Sequence, residues 1–224
     1  MDINKSNIQL KVNNKNVNAY LAAPKDGGVG ILVLHAWWGL KPFFKQVCGQ
    51  LAEHGYVALA PDLYQGRIAT TIEEAKTYHA EFEERGPKFM SDIVKTAKDY
   101  LSNLCASKPI GVMGFSMGAA WSVLIAAKEP DVSAVVLFYG VYAPDLSRMK
   151  AKVLGHFAEV DEWEPLDGVR AMEKDMQAAG VNVTLHIYPN VHHWFMEEDR
   201  PEYDPESAQL AWQRTFEFLK QNLH

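Results

Sequence analysis

The sequence predicts an α/β fold, one domain spanning 1–224 with a mostly parallel central sheet and helices on both faces. Three observations predict it. Residues 29–34, 56–60, 110–113 and 132–139 are short apolar runs of the kind that form strands buried on both faces. Amphipathic stretches of helical period lie between such runs, and strands alternating with helices build βαβ units. The chain has 224 residues, 48% hydrophobic and 22% charged, enough for one large core, with no linker, repeat or low-complexity tract to divide it.

The elements follow in order. Residues 8–12 and 17–21 alternate as two short strands around Asn13-Asn14-Lys15-Asn16, a hairpin expected to add an antiparallel edge. Lys25-Asp26-Gly27-Gly28 turns the chain into the strand 29–34. An amphipathic helix over 42–54 ends at Gly55, a glycine C-cap, and the strand 56–60 is closed by Pro61-Asp62. Helices over 71–85 and 88–104 are separated by Gly86-Pro87. The apolar strand from Ile110 runs into a tight turn and a helix that continues through Ala127. Strands over 132–139 and 152–157 precede a helix over 167–179, stopped by Gly180. Residues 181–188 alternate as a last strand, and 205–223 form a terminal amphipathic helix.

Composition narrows the function. A net charge of −6 without a basic run argues against nucleic acid or an anionic membrane as partner. Met1-Asp2-Ile3-Asn4-Lys5 opens no apolar signal segment and no run approaches membrane-spanning length, so a soluble cytoplasmic protein is expected, monomeric or homodimeric. Cys48 and Cys105 fall on helical segments and read as unpaired, partly buried thiols. With no C-x-x-C or Cys/His ligand spacing, neither metal nor cofactor is expected.

The chemistry centres on Gly114-Phe115-Ser116-Met117-Gly118, a G-x-S-x-G between a buried strand and a helix. A serine hydroxyl becomes a useful nucleophile when a strained turn exposes it beside a base, with N–H groups ready for an oxyanion. Flanking glycines suit such a turn, because side chains there would clash where strand and helix close on it. In a parallel sheet, ligands bind beyond the carboxyl ends of the strands. Asp161 follows one apolar run and His193 follows the last, giving the order Ser, acid, His that α/β-hydrolases use. His193 would take the Ser116 proton, and Asp161 would fix its tautomer and stabilise the imidazolium. The N–H of Met117 and one from the loop after Leu34 would hold the oxyanion. Neighbouring candidates are His192 for the base and Glu159, Glu162 and Glu164 for the acid. Asp161 stands on the turn just before Trp163 and Pro165. His156, inside an apolar strand, reads as a hydrogen-bonded core histidine. Trp37, Trp38, Trp121 and Trp194 sit beside motif residues, a cluster that could line an apolar acyl pocket.

Longer segments carry a family resemblance. His35-Ala36-Trp37-Trp38-Gly39-Leu40 and the run from Leu51 to Tyr64 resemble the dienelactone hydrolase family, as do His193, Phe195, Arg200-Pro201, Tyr203, Ala208 and Ala211-Trp212-Gln213-Arg214-Thr215. The resemblance covers about Gln9 to the C-terminus. It implies an α/β-hydrolase fold with the nucleophile on Ser116, the acid on Asp161, the base on His193 and the oxyanion amides on Met117 and Trp37. The spacing from His193 to Phe195 fits the family pattern and favours His193 over His192. Two positions depart from the best-known members, which carry a cysteine nucleophile and an activating glutamate where this chain has Ser116 and Ala36. The two changes agree with each other, since a Ser–His–Asp relay does not need the extra carboxylate. Those members also hold a substrate carboxylate with arginines, and Arg67 and Arg200 fall near such positions. The function implied is a cofactor-free serine hydrolase cleaving a small carboxylic ester or lactone. A thioesterase or acyltransferase with the same triad, or a non-catalytic binding protein on the same fold, are the alternatives.

Overall fold

The computed structural model describes residues 2–84, 86–106 and 109–223. Arg85, the expected end of one helix, lies outside the described residues. The chain divides into two compact units, Met1–Ile110 and Gly111–His224.

In the first unit the strand order is β1-β2-β4-β3. Strands β1 (Ile3–Val12) and β2 (Lys15–Pro24) form an antiparallel hairpin, and β2 pairs antiparallel with β4 (Tyr56–Pro61). Strand β3 (Val29–Leu34) pairs with β4 in parallel, and Ile31 to Leu34 are wholly buried. The hairpin is longer than the alternation suggested, because its outer end pairs through the backbone from Ile3↔Pro24 onward while Asn4 to Asn7 of β1 stay exposed. Its turn is only Asn13-Asn14, at φ 47° and 63°, the left-handed pair that a two-residue hairpin needs and that asparagine tolerates. Helices α1 (Pro42–Glu53), α2 (Ile72–Glu84) and α3 (Pro87–Leu104) complete the unit. On α3 the buried Met90, Ile93, Val94, Ala97 and Leu101 recur at three- and four-residue spacing, the stripe that seats an amphipathic helix on a core. Cys48 and Cys105 are both buried, more fully than the sequence suggested.

In the second unit the order is β5-β6-β7-β8, with β6 (Val132–Phe138), β7 (Lys152–Val160) and β8 (Val183–His192) parallel. Strand β5 (Ile110–Phe115) leads into α4 (Met117–Lys128). Helix α5 (Leu166–Ala178) joins β7 to β8, and α6 (Pro205–Asn222) closes the chain, its N-terminus capped by Asp204 accepting from the Ser207 N–H at 2.8 Å. The strand expected over 181–188 runs on to His192, past Pro189. Pairing passes from Ala158↔Tyr188 to Val160↔His192, so β8 spends four residues where β7 spends two, and Asn190 at φ 58° takes up the excess. The Asn190 N–H donates to Glu159 Oε2 at 3.0 Å, which holds the bulge. A proline that donates nothing to the ladder is tolerated on this terminal strand of the order. Strands alternating with helices and a predominantly parallel ladder are the fold class the sequence predicts. Among the described residues, no helix is long and apolar enough to cross a membrane.

Candidate active site

The second unit positions Ser116 by a turn that few residues tolerate. Ser116 sits between β5 and α4 at φ 51°, ψ −117°, a strained backbone for an L residue. Its N–H donates to the Phe138 carbonyl at 2.8 Å, and its carbonyl accepts from the Ala119 N–H at 2.8 Å, so the turn is tied to β6 on one side and α4 on the other. Two glycines make room. A Cβ on Gly114 would strike the Gly118 carbonyl and Ser122 Oγ, and one on Gly140 would strike the Ser116 carbonyl and Ala119 Cβ. Met117 is the first residue of α4, where N–H groups and the helix dipole both favour negative charge.

The end of β7 delivers Asp161 and the end of β8 delivers His193. Asp161 Oδ1 accepts from the N–H groups of Trp163 (2.8 Å) and Glu164 (2.9 Å), which fixes the carboxylate and leaves Oδ2 directed at His193 Nδ1, 2.7 Å away. His193 Nε2 lies 3.0 Å from Ser116 Oγ. With Nδ1 donating to a carboxylate, Nε2 is the free lone pair that can accept from the serine hydroxyl. Both partners of the His193–Asp161 pair are almost fully buried, with side-chain exposures of 4% and 1%, so water competes little for either bond. The histidine turn is itself bonded: Phe195 N–H to His192 O (3.3 Å), Glu197 N–H to Trp194 O (2.9 Å) and Asp204 N–H to Phe195 O (3.0 Å).

The rival residues have other partners or surroundings. His192 is exposed, Glu159 accepts from Asn190, and Glu162 is exposed. Glu164 Oε1 accepts from the Val141 N–H at 3.2 Å; burial, reinforced by the Asp161 charge, pushes its carboxyl up to about 7. His156 is fully buried, with Nδ1 2.9 Å from Tyr188 Oη and Nε2 3.0 Å from Thr215 Oγ1. Burial, then the nearby His186 and Arg214, hold its pKa well below the usual range and keep it neutral.

The remaining sequence candidates are placed as follows. In the first unit, Trp37 is half-buried, Trp38 is buried, and their rings meet edge-on at 5.7 Å. The Ala36 carbonyl accepts from His35 Nδ1 (2.6 Å) and the Gly39 N–H (3.2 Å), while His35 Nε2 accepts from the Leu63 N–H (3.0 Å). Those bonds pin the Ala36–Trp37 peptide and therefore the direction of the Trp37 N–H. Arg67 pairs with Glu81 at 2.6 Å and lies over the rings of Tyr78 (4.4 Å) and Phe82 (5.2 Å). In the second unit, Trp121 is half-buried on α4. Trp194 packs edge-on against His193 at 4.8 Å, and Arg200 lies over the Trp194 ring at 4.7 Å while bonding Glu202 through Nε and Nη2, both 3.2 Å. Tyr139 and Glu197 were not singled out by the sequence; the structure packs Tyr139 against the His193 ring and bonds it to Glu197. The position of Tyr139 at the carboxyl end of an apolar run was the available signal. Among the described residues, no three His, Cys, Asp or Glu side chains gather in a way that could hold a metal ion.

Comparison with known proteins bears on this geometry. The model of the dienelactone hydrolase family matches residues 17–223. Protein usf of Aquifex pyrophilus is 37% identical over 227 residues, covering 96% of this chain and 98% of that protein. A protein of Aquifex aeolicus (strain VF5) named "Putative carboxymethylenebutenolidase" is 32% identical over 225 residues, covering 95% and 96% of the two chains. A dienelactone hydrolase-like promiscuous phosphotriesterase from metagenomic libraries superposes with a TM-score of 0.88 over all of both chains at 16% identity. At that identity the likeness carries the fold alone, a dienelactone hydrolase-like α/β-hydrolase fold.

Proposed function

This chain belongs to the dienelactone hydrolase family, and we propose that it is a serine hydrolase that cleaves a small carboxylic ester or lactone through an acyl-enzyme on Ser116. The observation that carries the reading is the unbroken hydrogen-bond line from Asp161 Oδ2 through His193 to Ser116 Oγ, 2.7 and 3.0 Å. Ser116 Oγ attacks the carbonyl as its proton passes to His193 Nε2, and Asp161 stabilises the imidazolium. Met117, at the head of α4, supplies an N–H to the oxyanion. His193 then protonates the leaving oxygen. Water attacks the acyl-enzyme with the same histidine as base, releasing the acid and restoring the serine.

The charge pattern points to an uncharged acyl group. Arg67 is balanced by Glu81 and Arg200 by Glu202, and each is laid on an aromatic ring. Ala36 adds no carboxylate at the position where the best-known family members carry an activating glutamate. The reading is tested by steady-state hydrolysis of neutral aryl and alkyl esters. Ser116→Ala is expected to lower kcat by at least about a thousandfold with the fold intact. Turnover unchanged in the purified variant overturns it.

A further inference from the structure

A carboxylate has been sealed away next to the histidine turn with no part in the relay. Glu197 is fully buried, four residues after His193 on the same turn. Its N–H donates to the Trp194 carbonyl at 2.9 Å and its carbonyl accepts from the Arg200 N–H at 2.8 Å, so its main chain is part of the turn that shapes the loop. Its Oε1 accepts from the hydroxyl of Tyr139 at 2.9 Å. Tyr139 is also fully buried, and its ring stands 4.8 Å from the His193 ring at an interplanar angle of 57°.

Tyr139 is placed there at a cost. It follows β6 with φ at 40°, a left-handed backbone that an aromatic residue adopts rarely. Its N–H donates to the His156 carbonyl at 2.8 Å, and its ring also meets Phe195 at 5.7 Å. Burial, and then the Glu197 charge and hydrogen bond, push its hydroxyl well above the usual tyrosine range, with Asp199 and Asp161 adding to the effect. Tyr139 therefore keeps its proton and remains the donor. A turn needing only shape could be held by an amide or an apolar side chain, whereas a buried carboxylate costs free energy that such a side chain would not.

We propose that Tyr139 and Glu197 form a positioning pair for His193: the tyrosine ring fixes the imidazole, and the buried carboxylate behind it supplies a second negative charge that favours the imidazolium. This rests on the reading of Ser116, Asp161 and His193 as nucleophile, acid and base. The groups facing His193 are Asp161 and Ser116 at its two nitrogens, the Tyr139 ring with Glu197 behind it, and the Trp194 ring. Glu164 acts on Asp161 and Asp199 acts on Tyr139, both at one remove. Asp161 sets the tautomer by a direct bond. Glu197 acts only through field and packing, and so alters the energy of the charged ring without touching the substrate.

Glu197→Gln keeps an oxygen to accept from Tyr139 and removes the charge. Tyr139→Phe keeps the ring and removes the hydroxyl. Both are read by kcat and KM for a neutral aryl ester across pH, and by the NMR titration of the His193 ring. Losing the charge makes the imidazolium less favourable, so the acidic limb of kcat/KM and the His193 titration both move to lower pH. The expected movement in Glu197→Gln is about half a unit or more, with kcat reduced about threefold or more and KM unchanged. Tyr139→Phe takes away the hydroxyl that donates to the carboxylate, which favours the protonated carboxyl, so it moves both in the same direction by less, and it decides the matter if Glu197→Gln does not fold. A limb and a titration unmoved in the folded variants, with kcat within about twofold of wild type, overturn the pair's role. Wild-type protein that hydrolyses no ester overturns the reading of Ser116, while the His193 titration still decides the pair.

Discussion

Burial pushes the Glu164 carboxyl up to about 7, with the Asp161 charge adding to the effect and the Val141 N–H opposing it. In the unfolded chain the same group ionises near 4.5, so the folded protein holds the proton more tightly. The stability this contributes is fully present below about 4.5 and is lost as pH rises through about 7. Glu164→Gln imitates the protonated form and keeps an oxygen for Val141. In urea unfolding at pH 5 and pH 8, its stability relative to wild type should be greater at pH 8, by on the order of 1–2 kcal/mol after allowance for partial exposure. A variant whose stability relative to wild type is no greater at pH 8 than at pH 5 contradicts the burial argument. At this scale Ser116 was legible as a candidate, because Gly114 stands beside its turn, whereas the need for Gly140 appears only in the fold. Asp161 and His193 were legible as candidates because each follows an apolar run or an alternating strand. Glu197 was not legible, since a glutamate in Glu197-Glu198-Asp199-Arg200 looks like part of a solvated charge cluster, and only the tertiary fold turns it inward against Tyr139.

The elements of the second unit are joined by His156, which lies on β7 and bonds Tyr188 on β8 and Thr215 on α6. The ring is neutral and wholly buried, so each nitrogen needs its partner. Thr215→Val keeps shape and removes the α6 partner, leaving one buried nitrogen unsatisfied. The variant is expected to lose about 1–3 kcal/mol in denaturant unfolding while kcat for ester hydrolysis stays within about twofold. An unchanged unfolding midpoint would show that the clamp contributes nothing. Element types were legible where period was strong, as in α3 and α6, whose buried stripes recur every three or four residues. The ends were not. The β1–β2 hairpin extends through backbone pairing that leaves no hydrophobic pattern, and β8 passes Pro189 by a bulge that residue order does not announce. That bulge lies just before the catalytic candidate: it sets where β8 ends and so where His193 begins its turn.

For the molecule as a whole, alternation of apolar runs with amphipathic stretches was enough to give the α/β class, because parallel strands covered on both faces must be apolar throughout. The charge pattern of the arginines was not legible. Arg67 and Glu81 are 14 residues apart, and their pairing depends on how α2 returns to the loop. What the chain does follows from whether the bonded line Asp161–His193–Ser116 makes the serine a nucleophile, and that can be measured without knowing the substrate. The direct measurement is labelling with a fluorophosphonate and mapping of the modified peptide by mass spectrometry, in wild type and His193→Ala. The account predicts modification at Ser116 in the wild type and its collapse in the folded variant. Folded wild-type protein that takes no label, or a variant that labels as fast as wild type, contradicts it.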